Sequence, residues 1–233
     1  MRPFRVRLRR AAEQGGLTVL EEAFFAYISR MRYIDRWALM RNSMPENVQE
    51  HSHMVAVLAH ALAVIQNEKF GGRVDPGAVA VAALYHDASE ILTGDLPTPI
   101  KYDNPDIQGA YKSVETMAEQ KLLSMLPEEF RPTYREILTI PDPEVRALVK
   151  AADKLSAYLK CVEELKAGNL EFKKAGEQTY EALRQNPLPA LAYFMERFLP
   201  GFHLTLDELQ GSGDEIFGQT TIDLTSGKEG TQL

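Results

Sequence analysis

A chain of 233 residues with 45% apolar content and a net charge of −7 can bury roughly 70% of its unfolded surface around one full core. Its acidic balance argues against a protein that coats nucleic acid, and a lone cysteine, Cys161, excludes an intrachain disulfide and fits a reducing cytoplasm. No apolar run approaches the roughly 18 residues of a membrane span, and the Arg-rich start "MRPFRVRLRR" lacks the apolar stretch of a secretory signal.

The apolar spacing is helical nearly throughout. After residues 1–18, a basic arm read as disordered, "TVLEEAFFAYISRMRYI" sets Leu20, Phe24, Tyr27, Met31 and Ile34 at steps of three and four. "ENVQEHSHMVAVLAHALAVIQN" predicts a helix with Asn47 as N-cap and Glu50 completing a capping box. Gly71 and Gly72 break the chain, and Asp75-Pro76 restarts it as a helix expected to end at Gly94. The Pro-rich "DLPTPIKYDNPD" predicts a loop. A helix through "GAYKSVETMAEQKLLSML" follows, then a short one after Pro127. Asp142-Pro143 opens a long helix closed by Gly168, and further helices are expected over 170–185 and 187–198. No strand-like alternation persists. The polar stretch 210–233 reads as a mobile tail, which leaves 19–209 as one all-α domain.

On an ideal helix each residue turns about 100°. His51 therefore shares the buried stripe of Val48, Val55, Leu58 and Leu62, whereas His53 and His60 face the other way. His86 and Glu90 line up with Val79 and Ala83, with Asp87 on the flank of that face. Asp153 aligns with Val145, Val149 and Ser156. Each has an ordinary structural reading: a hydrogen-bonded core histidine, an Asp87 that caps or pairs with an Arg, an Asp153 paired with Lys150 or Lys154. Two imidazoles and two carboxylates converging in one core are nevertheless expensive without a cation. A divalent ion held by His51, His86, Asp87 and Asp153 removes that cost. The mixed N/O set suits Mn, Fe, Co, Ni, Cu or Zn rather than Mg or Ca.

This order, His…His-Asp…Asp on three helices, resembles the HD-domain metal-dependent phosphohydrolases. "RWALMRN" at 36–42, "ENVQEHS" at 46–52, "YHDASEILTGDLPTPIKY" at 85–102, "AADKLSAYLKCVEELKAGN" at 151–169 and "YFMERFLPGFHLTLDEL" together are similar to the bacterial 5′-deoxynucleotidases of that superfamily, over about residues 20–209. The resemblance implies an all-α HD-domain bundle, removal of the 5′-phosphate from deoxyribonucleoside monophosphates with loose base specificity, and the same four metal ligands. Implied substrate contacts are Arg36 and Trp37, the loop Asp95, Leu96, Pro97 and Thr98, and the ligands His51, Asp87 and Asp153. Glu90 and Asp95 are the implied acid/base groups, with Arg36 neutralising phosphate charge. Lys154, where a small residue is more usual, departs from the pattern without facing the metal.

Hydrolysis of a phosphate monoester demands strong charge stabilisation and two proton-handling groups, and this donor set supplies both. Trp37, the only Trp, is a core residue on spacing alone and a pocket wall by resemblance. A homodimer and a cytoplasmic location are also implied, with no membrane or nucleic-acid polymer as partner. The competing readings are another HD phosphohydrolase, acting on dNTPs or cyclic nucleotides, and a non-catalytic metal- or nucleotide-binding module. A triphosphate site wants several cations, and the motif segments offer mainly Arg36, Arg41 and Lys101.

Overall fold

The computed structural model describes residues 22–97 and 104–211. The expectations for the arm at 1–18, for the tail beyond Gly211 and for Thr98 lie outside those residues. In chain order the α-helices are α1 (Phe24–Ile28), α2 (Val48–Phe70), α3 (Pro76–Leu84), α4 (Glu90–Thr93), α5 (Pro105–Ser124), α6 (Arg131–Thr139), α7 (Pro143–Lys166), α8 (Lys173–Arg184), α9 (Pro189–Arg197) and α10 (Leu206–Gln210). Short 3₁₀ turns join several of them. Among the described residues the only strand-like pairing is an isolated bridge between Asp35 and Asn47.

The start and stop chemistry explains most of these boundaries. Asn47 accepts from the Glu50 backbone N–H and Glu50 returns the bond to Asn47, so α2 opens on the expected capping box. It ends at Gly71, whose φ of 71° a β-carbon would disfavour. Asp75-Pro76 and Asp142-Pro143 cap α3 and α7, each Asp accepting two backbone N–H groups. Asn104-Pro105 does the same for α5, so that helix begins earlier than the apolar spacing alone indicates.

Two expectations needed correction. The helix expected through residue 34 is α-helical only over Phe24–Ile28, and then tightens into a 3₁₀ turn at Ser29–Tyr33. Phe24 and Met31 still reach the core, at 0% and 2% exposure. The helix expected to run from Pro76 to Gly94 is broken. It ends at Leu84, residues 85–89 form turns, and a single helical turn resumes at Glu90. Through the break the bonds run to the third residue back, as in His86 N–H to Ala83 O and Ala88 N–H to Tyr85 O.

The main core lies where α2 packs along α3 and α7, with α9 against α2 and α8 against α7. The facing surfaces are rich in alanine: Ala59, Ala63, Ala83 and Ala152 are all 0% exposed. Small side chains let three helix backbones approach closely, and Leu62, Leu148, Leu155 and Leu191 fill the remaining space. Cutting one such Leu to Ala costs about 2–5 kcal/mol. A second cluster, Phe24, Ala88, Leu122, Leu126 and Leu138, ties α1, α5 and α6 to the 85–89 turn. The polar residues of interest stand between the two clusters.

Candidate metal and phosphate site

α2, α7 and the turn after α3 each bring polar side chains to one point. His51 on α2 is fully buried. Its Nδ1 lies 3.1 Å from Ser156 Oγ and its Nε2 3.0 Å from Asp153 Oδ1, both on α7. His86 donates from Nδ1 to Ala83 O at 2.8 Å. A carbonyl can only accept, so Nδ1 carries a hydrogen and Nε2 is the ring nitrogen that faces the site. His86 and Asp87 are adjacent in the turn that interrupts the helix, and both reach one site, with His86 Nε2 3.1 Å from Asp87 Oδ2. Asp87 Oδ2 is also 3.7 Å from His51 Nε2.

One ligand atom each from His51, His86 and Asp153 lie within 4.8 Å of one another. Asp87 adjoins this trio through the two histidines. The donor chemistry fits a divalent ion. Both Nδ1 atoms are engaged outward, both Nε2 atoms face each other's neighbourhood, and His86 Nε2 is buried with no well-aligned hydrogen-bond partner. Outward anchoring of one imidazole nitrogen with the other turned to a shared point is the usual arrangement of metal-binding histidines.

The carboxylates favour positive charge at this point, as a proton on His86 or as a cation in its place. Burial works against charge on His86, but Asp87 and then Asp153 outweigh it and lift its pKa to about 9. Burial likewise disfavours the charged carboxylates, yet His86 and His51 hold Asp87 well below the usual range, and the same histidines lower Asp153. Asp153's side chain remains 42% exposed, so the site opens to solvent on that side.

A strap, residues 35–47, borders the site. Its neck is closed by the Asp35–Asn47 bridge and by Arg36 N–H to Glu46 O at 2.9 Å. Arg36 pairs with Glu46 at 2.7 Å and is 12% exposed. Burial opposes its charge, but Glu46 first, then Asp87, Asp153 and Asp95, more than offset this. The guanidinium is therefore within electrostatic reach of Asp87, Asp153 and Asp95. Trp37 sits half-buried with φ 59°, a left-handed conformation rare for a bulky residue. Its ring packs against Phe172 at 5.3 Å.

The tip of the strap is held by α7. Glu164, 2% exposed, accepts from the backbone N–H groups of Ser43 at 2.9 Å and Met44 at 3.3 Å. It also accepts 2.8 Å from Asn169 Nδ2 and pairs with buried Lys160, which donates in turn to Met44 O. Asp153, Ser156, Lys160 and Glu164 thus form one stripe along α7, at steps of three, four and four.

Glu90, 6% exposed, follows Asp87 by one tight turn. Asp95, Leu96 and Pro97 are partly buried in the segment after α4. Thr98 lies outside the described residues. Sequence reasoning missed Glu46, Ser156 as an orienting group, and the Lys160–Glu164 pair. Ser156 lay on the stripe of Asp153 and could have been found there, whereas Lys160 and Glu164, on the same stripe but four residues apart, read as a solvated pair. Glu46 carries no local signal.

An all-helical scaffold that gathers His, His-Asp and Asp from three separate segments defines an HD-domain phosphohydrolase. Consistent with this, the fold is similar to that of an HD-domain phosphohydrolase from Listeria innocua, with TM-score 0.67 and 25% identity over 77% of this chain and 87% of that one. Residues 23–202 match the model of the YfbR-like 5′-deoxynucleotidases, and the chain belongs to that family. It is 53% identical to a 5′-deoxynucleotidase of Vibrio cholerae, over 81% of this chain and 98% of that protein. It is also 53% identical to the 5′-deoxynucleotidase YfbR of Escherichia coli, over 80% of this chain and 94% of the relative.

Proposed function

We propose that this protein is a metal-dependent 5′-deoxynucleotidase, cleaving deoxyribonucleoside 5′-monophosphates to deoxynucleoside and phosphate. The observation that carries this is the convergence of His51, His86 and Asp153, with His86 Nε2 lacking an aligned partner, next to a guanidinium in a chain of that family.

His51, His86, Asp87 and Asp153 hold a divalent transition ion, drawn from Mn, Fe, Co, Ni, Cu and Zn. Bound there, such an ion supplies Lewis-acid stabilisation of charge on the phosphoryl oxygens. Arg36 binds the phosphate and offsets charge as the P–O5′ bond breaks; its planar donor fork suits phosphate oxygens. Water attacks phosphorus opposite the leaving oxygen. One of Glu90 and Asp95 accepts the water's proton, and the other delivers a proton to the departing O5′. Trp37 and the loop at 95–98 are the sugar contacts that the family resemblance implies. Deoxyribose is then selected either by steric exclusion of a 2′-hydroxyl or by giving it no partner, and an unpaired hydroxyl costs about 1–3 kcal/mol. Little here reads base edges, so base specificity is loose.

The catalytic unit is residues 19–209, between a basic arm at 1–18 and a polar tail at 210–233. It works as a cytoplasmic homodimer on free nucleotides, not on a polymer or at a membrane. The net charge of −7 favours small anions held locally over a polyanion. Exposed Val57 and Val64 on α2 supply apolar surface for a second copy.

Phosphate release is the test, from metal-stripped protein resupplied with Co, Mn, Zn or Mg. The expected result is release from 5′-dNMPs alone, restored by the transition ions and poorly by Mg. Release of triphosphate from dNTPs would move the chain to another reaction of its superfamily. Metal binding without release from any nucleotide would make it a binding module.

A further inference from the structure

Glu46 has no place in the chemistry above, yet it touches both residues of the strap that face substrate. Its Oε2 accepts from Arg36 Nη1 at 2.7 Å and from Trp37 Nε1 at 3.1 Å. Indole N–H is a donor only, so this bond fixes the rotation of the Trp37 ring. The Trp37 backbone is in the left-handed region, a conformation that costs energy and persists only where surrounding contacts impose it. Those contacts include Glu46, the Phe172 ring, the Arg36 guanidinium over the indole, and two donors to Trp37 O, Met40 N–H at 2.8 Å and Asn42 Nδ2 at 3.3 Å. Arg36 is arranged in the same way. Nη1 is taken by Glu46, while Nε is buried without a hydrogen-bond partner among the described residues, a donor held ready for an acceptor such as a phosphate oxygen.

We propose that Glu46 is a positioning residue: through one carboxylate oxygen it sets both the phosphate-binding guanidinium of Arg36 and the sugar-facing wall of Trp37. Phosphate capture and rejection of a 2′-hydroxyl are thereby coupled. This rests on the 5′-deoxynucleotidase reading. The geometry gives the coupling a direct route, because movement of the shared oxygen displaces both partners. Arg36 Cζ lies 5.9 Å from the centre of the Trp37 ring, so the two partners of the shared oxygen are also in contact with each other.

Glu46→Gln keeps the shape and removes the charge. Glu46→Asp keeps the charge and withdraws the oxygen. Both are compared with Trp37→Phe and with the Glu46→Gln/Trp37→Phe double variant. Metal content, kcat and KM are measured for 5′-dAMP and 5′-AMP. Trp37 is the only Trp, so intrinsic emission of the metal-loaded protein reports its surroundings without any turnover.

Both Glu46 variants are expected to bind metal as the wild type does and to show shifted, more readily quenched emission. KM for 5′-dAMP should rise about tenfold, the scale of a lost charge-assisted hydrogen bond, and the preference for 5′-dAMP over 5′-AMP should fall severalfold. The double variant should lose no more preference than Trp37→Phe alone, since the two act through one element. Unchanged emission and preference in Glu46→Gln would overturn the proposal. So would additive losses, or wild-type behaviour in Glu46→Asp, which would mean that charge near Arg36 suffices. A wild-type protein inert toward 5′-dAMP would sink the nucleotidase reading and the coupling with it, while the emission of Glu46→Gln would still decide whether Glu46 holds Trp37.

Discussion

His51 and His86 each spend one ring nitrogen on the scaffold, at Ser156 Oγ and at Ala83 O. That outer contact aims the other nitrogen, the proposed ligand, into the site. Ser156→Ala should therefore weaken metal affinity by about 10–100-fold with little loss of fold, measured by competition with a chelating indicator. Asp153→Ala removes a proposed ligand and should abolish both metal binding and phosphate release. A variant that kept stoichiometric metal and normal rate would remove Asp153 from the ligand set. Glu90→Ala separates binding from chemistry. Metal content and nucleotide affinity should persist while turnover falls at least about 100-fold, as expected for loss of a proton-transfer group.

Among the elements, the strap depends most on a buried charge pair. Removing one partner of such a pair costs about 3–5 kcal/mol, because the other charge is left buried alone. Glu164→Gln should accordingly lower the melting temperature, and Lys160→Met/Glu164→Gln should recover part of the loss. The same site predicts an acid limb. Burial disfavours the Glu164 carboxylate, but bonds from Lys160, Asn169, Ser43 and Met44 outweigh this and lower its pKa to about 2. A carboxyl with a depressed folded pKa stabilises fully above its unfolded pKa, about 4.3, and the contribution is lost as pH falls through the folded value. Wild-type protein should lose stability between about pH 4.5 and pH 2 relative to Glu164→Gln, with the two melting curves converging at the acid end.

Legibility of the elements follows the same division between local and distant contacts. α2, α3 and α7 could be read because their caps, Asn47, Asp75-Pro76 and Asp142-Pro143, and their apolar stripes are local signals. His51 could be placed inward for the same reason. The break at 85–89 could not, because it is imposed by tertiary packing. Ala88 and Tyr85 belong to the second core cluster, and the change to tighter bonding leaves no mark in residue type. Nor could the strap be read, since the Arg36–Glu46 contact spans ten residues and the Ser43–Glu164 contact 121.

At the scale of the molecule, the candidate metal ligands come from α2, α7 and the turn that follows α3, which are the walls of the main core. Metal binding is then also folding free energy. An ion at 1,000 times its Kd adds about 4 kcal/mol, or about 10 °C in Tm for a chain of this size. Chelation should lower Tm by that order, and Asp153→Ala should melt like chelated wild type with no further response to chelator. The Arg-rich arm, by contrast, carries no assigned role at the site. Deleting residues 1–15 should leave kcat and KM for 5′-dNMPs within about twofold.

The α7 stripe has one more consequence, for how the chain can change length. Asp153 and Ser156 serve the candidate metal site, and Lys160 and Glu164 anchor the strap one to two turns further on. An inserted or deleted residue between Ser156 and Lys160 turns one end against the other by about 100°. No rotamer change recovers that rotation, whereas many substitutions on the outer face of α7 leave it untouched. The helix acts as a key cut for two locks: its composition can drift, but the spacing of its teeth cannot.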